Sequence, residues 1–331
     1  MPRFSILITD IAWPNTNVET AILGCIGGDL ILSSNGTEAD LLRYAPQTDA
    51  ILTNWKRVPE SVIRAAPNLK VISRYGIGVD NIPVRLATEL GIPVTNVPVY
   101  CLDEVAEHTL ALIFALHRKI CWYNAQVHSG QWQPLGGKPL HRLSGKTLGI
   151  VGFGKIGKTL AHKAAGLGLQ IMACDSQLNH AQMEAAGAHK VELDELLTLA
   201  DIVSLHVPLT PATQGMIDTT ALAQMKPTTF LINTGRGGLV DYAALARALE
   251  DDQLAGAGLD VFENEPAPTD HALLRLPNVI VTPHVAFYSE ESLHDLLVQT
   301  AENTAAVLTG RKPGALVNPE VLDLPRWKHL I

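Results

Sequence analysis

The sequence predicts an α/β protein built from two units, each with a parallel sheet covered by helices on both faces. Short apolar runs alternate with segments of helical periodicity almost from end to end, which is the pattern of βαβ units. The series of strands begins again after a long helix-like stretch, and 331 residues are enough for about two domains. A hydrophobic fraction of 47% with 18% charged residues is ordinary for a globular protein and excludes a largely disordered chain.

The first hundred residues carry the first series of strands and helices. Segments 60–66 and 84–90 have helical periodicity, and Gly91 follows the second segment as a C-cap glycine does. The apolar runs around them are the candidate strands, at 4–9, 30–33, 50–53, 71–73 and 93–95.

The second series follows one predicted long helix, from Leu102 to about Val127, and a loop rich in Gly, Pro and Trp at 129–140. A final helix is predicted at 289–308 and is ended by Gly310. Because ligand sites often lie where domains meet, we expect the chemistry in the cleft between the two units. The candidate strands are 146–151, 169–174, 202–206, 229–233, 257–261 and 279–282.

Composition and charge argue against several classes of protein. The formal net charge is −8 without a block of like charge, which disfavours a nucleic-acid-binding surface. The longest apolar run, 110–116, is far short of the ~20 residues that span a bilayer, and the first residues lack the apolar length of a signal peptide. Four cysteines without C-x-x-C spacing argue against a disulfide framework or a zinc site. We therefore expect a cytoplasmic protein that binds no metal, no membrane and no nucleic acid.

A glycine motif, G-x-G-x-x-G at residues 152–157, lies between a predicted strand and a predicted helix. The first glycine permits a tight turn, the second lets backbone N–H groups approach a pyrophosphate, and the third lets the helix pack on the strand. The phosphate would lie at the helix N-terminus, where unpaired N–H groups and the helix dipole favour an anion. The motif in this setting predicts a dinucleotide site.

The same residues also fit the phosphate-binding loop of nucleoside triphosphatases, because Lys158 and Thr159 complete G-x-x-x-x-G-K-T. Asp175 ends the next strand, 23 residues after Gly152, close to the ~20-residue spacing of a carboxylate that binds ribose. This carboxylate would repel a 2′-phosphate and no Arg follows it, which favours NAD over NADP. A strand-terminal Asp also suits a triphosphatase, so that alternative stays open here.

Three loops after later strands carry the polar groups that reduction of a keto acid needs. The reaction requires a cation for the carboxylate and carbonyl oxygen, a proton donor, and a group that keeps this donor charged. Arg236, Glu265 and His284 offer these groups, each beyond the carboxyl end of a predicted strand, where α/β sheets bind ligands. Each residue alone is more often a surface or loop residue, but the combination downstream of the glycine motif is more specific.

With these residues, the chain strongly resembles the D-isomer-specific 2-hydroxyacid dehydrogenase family over essentially its whole length. The matching segments are 74–82, 105–109, the glycine motif, 206–210 and the three loops. Segments 284–290 and 308–313 point to the branch related to C-terminal-binding protein dehydrogenases. The resemblance implies an NAD-dependent oxidoreductase. It also implies a Rossmann NAD-binding domain (101–286) inserted in a discontinuous, flavodoxin-like substrate domain (1–100 and 287–331).

The resemblance also implies a role for each matching residue. Arg236 would bind the carboxylate and carbonyl of the substrate, and His284 would be the general acid in reduction and the base in oxidation. Glu265 would hydrogen-bond His284 and favour its imidazolium form. Asp260 would orient the nicotinamide carboxamide, and Thr109 would reach a phosphate.

The residues expected at the cofactor are Thr109, Gly152, Gly154, Lys155, Ile156, Gly157, Asp175, His206, Val207, Pro208, Thr213, Thr234, Gly235, Arg236, Asp260, His284 and Ala286. Those expected at the substrate are Tyr75, Gly76, Ile77, Gly78, Arg236 and His284.

The expected substrate is an apolar or uncharged 2-keto acid, with hydroxypyruvate and glyoxylate included. Phosphoglycerate members of the family place arginines for the phosphate where this chain has Thr53, Asn54 and Trp55, although Lys56 and Arg57 are adjacent. 3-Phosphoglycerate is therefore the disfavoured alternative, and we expect no appended serine-binding domain.

Aromatic residues could line the substrate pocket, namely Trp55, Tyr75, Tyr100 and Phe287. Phe287 stands where C-terminal-binding proteins carry Trp, which weighs against a shared substrate preference.

Two further expectations concern partners. An NAD-sensing, corepressor-like protein that binds an extended peptide is the alternative from another class, and the presence of Arg236, Glu265 and His284 weighs against it. We also expect a homodimer, with the 102–127 helix and the following loop as its contact surface, because apolar residues there would otherwise be exposed.

Overall fold

The computed structural model describes residues 3–330, with side chains described up to Trp327. The chain divides into two units, Met1–Tyr100 with Ser289–Ile331, and Cys101–Tyr288. This division lies two residues beyond the boundary predicted after residue 286. Both units are α/β with parallel sheets, as the sequence predicts.

The elements follow the alternation read from the apolar runs. The first unit begins with β1 (Phe4–Ile8), α1 (Asn17–Gly24), β2 (Gly28–Leu32), α2 (Glu38–Tyr44), β3 (Ala50–Thr53), α3 (Glu60–Arg64), β4 (Val71–Arg74), α4 (Val84–Glu89) and β5 (Val94–Thr95). The second unit contains α5 (Leu102–His117), α6 (Ile120–His128), β6 (Thr147–Val151), α7 (Lys155–Ala165), β7 (Gln170–Cys174), α8 (His180–Ala185), β8 (His189–Lys190), α9 (Leu193–Leu199), β9 (Ile202–Leu205), α10 (Thr219–Gln224), β10 (Phe230–Asn233), α11 (Tyr242–Glu250), β11 (Gly256–Leu259) and β12 (Val279–Val281). The chain then returns to the first unit with α12 (Glu290–Leu308). Short 3-10 turns lie at Ala45–Gln47, Gly237–Leu239, Ala272–Arg275, Pro319–Asp323 and Pro325–Leu330.

The first unit has the strand order β2-β1-β3-β4-β5, which is that of flavodoxin-like doubly wound folds. Successive residues of β1 point to opposite faces of the sheet, so Ile6 and Ile8 pack with residues of α12, and Leu7 packs with residues of α2, α3 and α4. Oγ1 of Thr304 in α12 lies 2.7 Å from Oγ of Ser73 in β4, and this hydrogen bond ties the final helix to the sheet.

The second unit has the strand order β12-β11-β10-β9-β6-β7-β8, which is the Rossmann order with one further strand. The order reverses between β6 and β9, and such a switch point opens a crevice beyond the carboxyl ends of the strands. The loops that follow β6 and β9 are therefore where this fold is expected to hold a ligand.

The single long helix predicted from Leu102 to Val127 is wrong, because the structure divides it into α5 and α6. Lys119 adopts the left-handed conformation with φ +51° and begins a new helix direction. The apolar pattern ran on through Ile120 and Val127, but these side chains are 54% and 48% exposed. The apolar face of α5 is buried against the sheet, whereas the apolar residues of α6 are not, so the pattern concealed the break.

The two-residue strand β8 was also not predicted, because it is too short to produce a pattern. No helix within residues 3–330 is both long and apolar enough to cross a membrane.

Candidate active site

The glycine motif forms the turn between β6 and α7. Gly152 has φ +94°, and a Cβ added there would lie 2.7 Å from backbone atoms of His206 and Val207. A Cβ at Gly157 would collide with the carbonyl oxygen of Gly152. A Cβ at Gly154 would instead meet no described atom within 4 Å. The fold thus requires the first and third glycines, while Gly154 borders open space where a ligand can approach the backbone, which fits a pyrophosphate.

The start of α7 supports the dinucleotide interpretation over the triphosphatase one. The helix begins directly after Gly154, so the backbone N–H groups of Lys155, Ile156 and Gly157 lie in its first turn and can face an anion. Thr159 lies further along and donates its hydroxyl to the carbonyl oxygen of Lys155 over 3.1 Å. A phosphate-binding loop wraps the phosphates with the residues between its two glycines, whereas here residues 155–157 already lie in the helix.

Asp175 lies one residue beyond β7 and is partly exposed. Its Oδ2 accepts the N–H of Phe153 over 2.9 Å, and its Oδ1 accepts the N–H of Gln177 over 2.8 Å. The carboxylate therefore joins the glycine turn to the end of β7. Each oxygen keeps a second lone pair, so Asp175 can also accept hydrogen bonds from ribose hydroxyls.

Segment 206–208 follows β9, on the other side of the switch point from the glycine turn. The Nε2 atom of His206 lies 2.8 Å from Oγ of Ser204, and desolvation lowers the pKa of His206 to about 4. The imidazole is therefore neutral at neutral pH. Thr213 donates its hydroxyl to the carbonyl oxygen of Pro208 over 2.6 Å and so closes the loop.

Arg236 is held by the loop after β10. The buried side chain of Asn233 donates from Nδ2 to the carbonyl oxygen of Arg236 over 2.9 Å, and its Oδ1 accepts the N–H of Gly235 over 3.1 Å. On the other side, Gly237 packs so closely on the backbone of Phe262 that no Cβ would fit. The backbone of Arg236 is thus fixed from both sides.

Thr109 and Thr234 are brought into contact, with 3.0 Å between their hydroxyl oxygens. Thr109 also donates its hydroxyl to the carbonyl oxygen of Val105 over 2.8 Å, and the residue is 0% exposed. Its hydroxyl therefore contacts Thr234 directly, and its expected contact with a phosphate stays a prediction.

His284 and Glu265 form a direct pair, with 2.7 Å between Nδ1 and Oε2. The other carboxylate oxygen, Oε1, accepts the N–H of Phe262 over 2.9 Å. His284 has φ +54°, which is uncommon for a residue other than glycine, and its N–H donates to the carbonyl oxygen of Asp260 over 2.7 Å. The surrounding hydrogen bonds thus impose an uncommon conformation on the residue expected to transfer a proton.

The electrostatics of this pair determine which ring nitrogen can exchange a proton. Burial raises the pKa of Glu265, but the hydrogen bond and charge of His284, the N–H of Phe262 and the charge of Arg236 outweigh it, so the pKa lies below its ordinary value of 4.5. Glu265 is therefore an anion at neutral pH and can only accept hydrogen bonds. Nδ1 of His284 must carry the hydrogen between them, and Nε2 is the atom left for a substrate.

Asp260 is 1% exposed and holds the loop that carries His284. Its Oδ1 accepts the hydroxyl of Thr282 over 2.5 Å and the N–H of Val285 over 2.9 Å, and its Oδ2 accepts the N–H of Ala286 over 2.9 Å. The expected contact of Asp260 with the nicotinamide carboxamide stays a prediction, and Oδ2 keeps one lone pair for it.

The expected substrate residues of the first unit follow β4. Gly76 has φ +139°, a backbone conformation that favours glycine, and it leads into Ile77 and Gly78. The expectation that Tyr75 lines a substrate pocket is corrected, because its ring is 1% exposed in the core and its OH donates to Oε1 of Glu19 over 2.9 Å. The buried carboxyl gives the phenol a partner, so the ring can pack inside.

Several residues that hold the site were not identified from the sequence, chiefly His108, Asn233 and Thr282. Asn233 ends a buried strand, and that position was a usable signal. A lone Thr or His carries no such signal, because most are solvated. Within the described ranges, no group of three His, Cys, Asp or Glu side chains could hold a metal ion.

Comparison with known proteins identifies the family. Residues 110–286 match the model of the D-isomer specific 2-hydroxyacid dehydrogenase, NAD binding domain. A glyoxylate reductase of Thermococcus litoralis is 41% identical over 289 residues, which cover 85% of this chain and 87% of that protein. A D-3-phosphoglycerate dehydrogenase of Mycobacterium bovis is 38% identical over 304 residues, which cover 88% of this chain and 57% of that protein.

A solved structure supports the same assignment. It is that of an NADPH-dependent glyoxylate/hydroxypyruvate reductase of Sinorhizobium meliloti in complex with NADP and malonate, with a TM-score of 0.84 and 29% identity over 95% of this chain and 97% of that chain. With the glycine turn at the Rossmann switch point and the His284–Glu265 pair beyond the same sheet, the chain belongs to the D-isomer-specific 2-hydroxyacid dehydrogenase family and carries its NAD-binding domain.

Proposed function

We propose that this protein reduces a small 2-keto acid of the glyoxylate or hydroxypyruvate type with NADH, and oxidises the corresponding D-2-hydroxy acid at its CH–OH group in reverse. The observation that carries the proposal is the 2.7 Å hydrogen bond between Nδ1 of His284 and Oε2 of Glu265. The pairing leaves Nε2 as a proton donor, and the positive charge of Arg236 acts on the same Glu265 carboxylate. The glyoxylate reductase relative supports this substrate class.

The side chains divide the chemistry between them. The guanidinium of Arg236 binds the carboxylate and the carbonyl oxygen, and so stabilises negative charge on that oxygen as it develops. Nε2 of His284 gives its proton to the same oxygen, which becomes the hydroxyl of the product. Glu265 stabilises the imidazolium before the transfer, and in the reverse direction His284 accepts the proton as a base.

The family resemblance also implies a role for backbone groups of the first unit. The N–H groups of Ile77 and Gly78 would hold the substrate carboxylate, in a turn that Gly76 makes possible. Backbone donors suit a carboxylate because they point in fixed directions and lose little entropy on binding.

NAD is the cofactor that the second unit suits. Bound NADH supplies the hydride of the reaction. The first turn of α7 and the open side of Gly154 would hold the pyrophosphate, and Asp175 would accept the ribose hydroxyls. The Sinorhizobium meliloti relative is NADPH-dependent. The Asp175 carboxylate would repel a 2′-phosphate, and we therefore propose NADH as the preferred cofactor of this chain.

3-Phosphoglycerate is the second candidate substrate, because the Mycobacterium bovis relative is named for it. Against it, Thr53 and Asn54 are buried and uncharged and Trp55 is uncharged, where phosphate-binding arginines would be needed. Lys56 and Arg57 are exposed and could still meet a phosphate.

Other parts of the proposal concern the setting of the enzyme. We infer a homodimer formed through α6 and the loop that follows it, whose apolar side chains are exposed. Four free cysteines, two of them exposed, suit the reducing cytoplasm. The first unit would be the substrate domain and the second the NAD domain, and the branch related to C-terminal-binding protein stays a prediction.

The test is oxidation of NADH, followed at 340 nm, against glyoxylate, hydroxypyruvate, pyruvate, phenylpyruvate and 3-phosphohydroxypyruvate, with NADPH in parallel. We expect turnover with the first two acids and a preference for NADH. In His284→Ala, kcat should fall by about 10²–10⁴-fold, the usual contribution of a general acid. NADH binding without turnover of any acid would instead favour the NAD-sensing, corepressor-like alternative.

A further inference from the structure

Two adjacent residues of α5 contact two different loops of the active site. Nε2 of His108 lies 2.9 Å from Oγ1 of Thr282, in the loop after β12. Oγ1 of Thr109 lies 3.0 Å from Oγ1 of Thr234, in the loop after β10. One turn of a helix thus touches both the loop that carries His284 and the loop that carries Arg236.

The hydrogen-bond directions of the His108 contact follow from the number of hydrogens. Thr282 has one hydroxyl hydrogen and donates it to Oδ1 of Asp260 over 2.5 Å, so it can only accept from His108. His108 is therefore in the form with hydrogen on Nε2. Asp260 in turn accepts the N–H groups of Val285 and Ala286. A continuous chain of hydrogen bonds leads from α5 to the backbone on the C-terminal side of His284.

The Thr109 contact has a fixed direction for the same reason. Thr109 donates its hydrogen to the carbonyl oxygen of Val105 over 2.8 Å, so Thr234 is the donor between the two hydroxyls. Thr109 is 0% and Thr234 8% exposed, so water does not compete with this bond. Thr234 is two residues from Arg236.

Glycines in the neighbouring strand allow α5 to lie close enough for these short side chains to reach. The helix packs on β10, β11 and β12. A Cβ at Gly258 of β11 would lie 3.1 Å from Cβ of Leu112, and one at Gly256 would lie 3.4 Å from Cδ2 of Leu116. A larger residue at Gly258 would push α5 away from the two loops on either side of that strand.

We propose that α5 sets the position of Arg236 relative to His284, with His108 and Thr109 as its positioning residues. This role rests on the proposed function of the two catalytic side chains. The two loops follow β10 and β12, which are separated by β11, and the paired contacts of α5 join them across that strand. The two contacts have separable effects, because one leads to the proton donor and the other to the substrate-binding cation.

The experiment compares His108→Leu and His108→Gln, and Thr109→Val and Thr109→Ser. At position 108, Leu removes the hydrogen-bond donor, whereas the side-chain amide of Gln can still donate to Thr282. At position 109, Val removes the hydroxyl group, whereas Ser keeps it. His162→Leu, at an exposed position of α7, is the control for His108. Thr198→Val is the control for Thr109, because Thr198 makes the same bond to its own helix, to Asp194 over 2.8 Å, at an exposed position.

Three measurements separate the outcomes. Steady-state kinetics with glyoxylate should give a kcat about tenfold lower in His108→Leu, with its NADH Kd within about twofold of the parent, and a KM about tenfold higher in Thr109→Val. The Gln and Ser variants should recover to within about threefold. In the imidazole ¹⁵N spectrum, the His284 signal should move in His108→Leu and stay in place in Thr109→Val.

Other results would overturn the proposal. The first is a kcat and a His284 signal that are unchanged in His108→Leu. The second is a kinetic defect that His108→Gln and Thr109→Ser do not restore. The third is an equal defect in the controls His162→Leu and Thr198→Val. A parent protein that turned over no keto acid would contradict the proposed function. The ¹⁵N spectrum needs no substrate, so it would still test the contact from His108 to the loop of His284.

Discussion

His284 is held in place by the residues around it more than by its own segment of chain. Its φ of +54° costs about 1 kcal/mol or more for a residue with a Cβ, and it persists because Asp260 accepts hydrogen bonds on both sides of it. Glu265 then fixes the ring through Nδ1. The proton donor is therefore oriented before any substrate binds, which lowers the entropic cost of reaching the reactive geometry.

The charge of Glu265 is the feature of this pair that substitution can isolate. Because its pKa is lowered, Glu265 is an anion through the neutral range and stabilises the imidazolium of His284. In Glu265→Gln that counter-charge is lost, so the imidazolium form of His284 is stabilised less. The basic limb of the pH profile for keto-acid reduction should then move to lower pH, measured as kcat/KM with NADH. Glu263→Gln, exposed and two residues away, is the control, and an unmoved limb in Glu265→Gln would contradict the pairing.

His206 makes the stability of the protein depend on pH. Desolvation lowers its pKa from 6.5 to about 4, so between these values the unfolded chain binds a proton that the folded protein does not. The free energy of unfolding should therefore fall as pH decreases from 6.5 toward 4, by about 1–2 kcal/mol when the partial exposure of the residue is allowed for.

Urea unfolding at pH 7 and pH 5 measures this dependence. His206→Gln keeps a polar partner for Ser204 but cannot titrate, so the part of the pH dependence that belongs to His206 should disappear. If the free energy of unfolding changed equally between pH 7 and pH 5 in the parent and the variant, His206 would not be desolvated in solution.

At the scale of the element, the turn between β6 and α7 separates two uses of glycine. Gly152→Ala should destabilise the fold by about 2–4 kcal/mol, since φ is +94° and the Cβ would press on backbone atoms that cannot move aside. Gly154 has φ −70° and open space beside it, so Gly154→Ala should change stability by less than about 0.5 kcal/mol while weakening NADH binding. Urea unfolding and NADH fluorescence titration measure the two effects, and Gly154→Ala with unaltered NADH affinity would rule out close approach of a pyrophosphate there.

The elements of the fold could be predicted where burial dominates. Parallel strands covered on both faces are continuous apolar runs, and β3 and β10 lie at the predicted starts and ends or within one residue of them. The break at Lys119 could not be predicted, because neither Gly nor Pro marks it and the apolar pattern continues beyond it. Local pattern does not report which apolar side chains find a partner surface.

The reactive residues of the site could be predicted from the sequence, whereas the residues that hold them in position could not. Arg236, Glu265 and His284 are recognisable because their chemistry is unusual in combination after strand ends. The supporting contacts of Thr282 and His108 are ordinary hydrogen bonds between segments 174 residues apart, which no local signal carries. The prediction that Tyr75 lines the substrate pocket was wrong for a related reason. An aromatic residue can line a pocket or fill a core, and only its contact with the buried Glu19 decides between them.

For the whole molecule, the exposed apolar surface of α6 and the following loop predicts assembly. Trp132 and Leu135 are 79% and 67% exposed, which is unusual for side chains of this size. The loop is not loose, because Tyr123 of α6 donates its OH to the carbonyl oxygen of Pro134 over 2.9 Å and accepts the N–H of Gly137 over 3.2 Å. An ordered segment that presents a tryptophan fits the centre of an interface, where Trp often contributes most of the binding energy.

We therefore expect a homodimer of about 71 kDa, twice the 35.6 kDa of the chain, in size-exclusion chromatography with light scattering. Replacing both Trp132 and Leu135 by Ser should shift the mass toward that of the single chain at micromolar concentration, because the loss of two buried apolar anchors removes several kcal/mol of association energy. Leu199→Ser, 45% exposed at the end of α9, is the control and should leave the mass unchanged. A parent protein that ran as a single 36 kDa species would refute the dimer. A double variant that stayed dimeric would move the interface away from this segment.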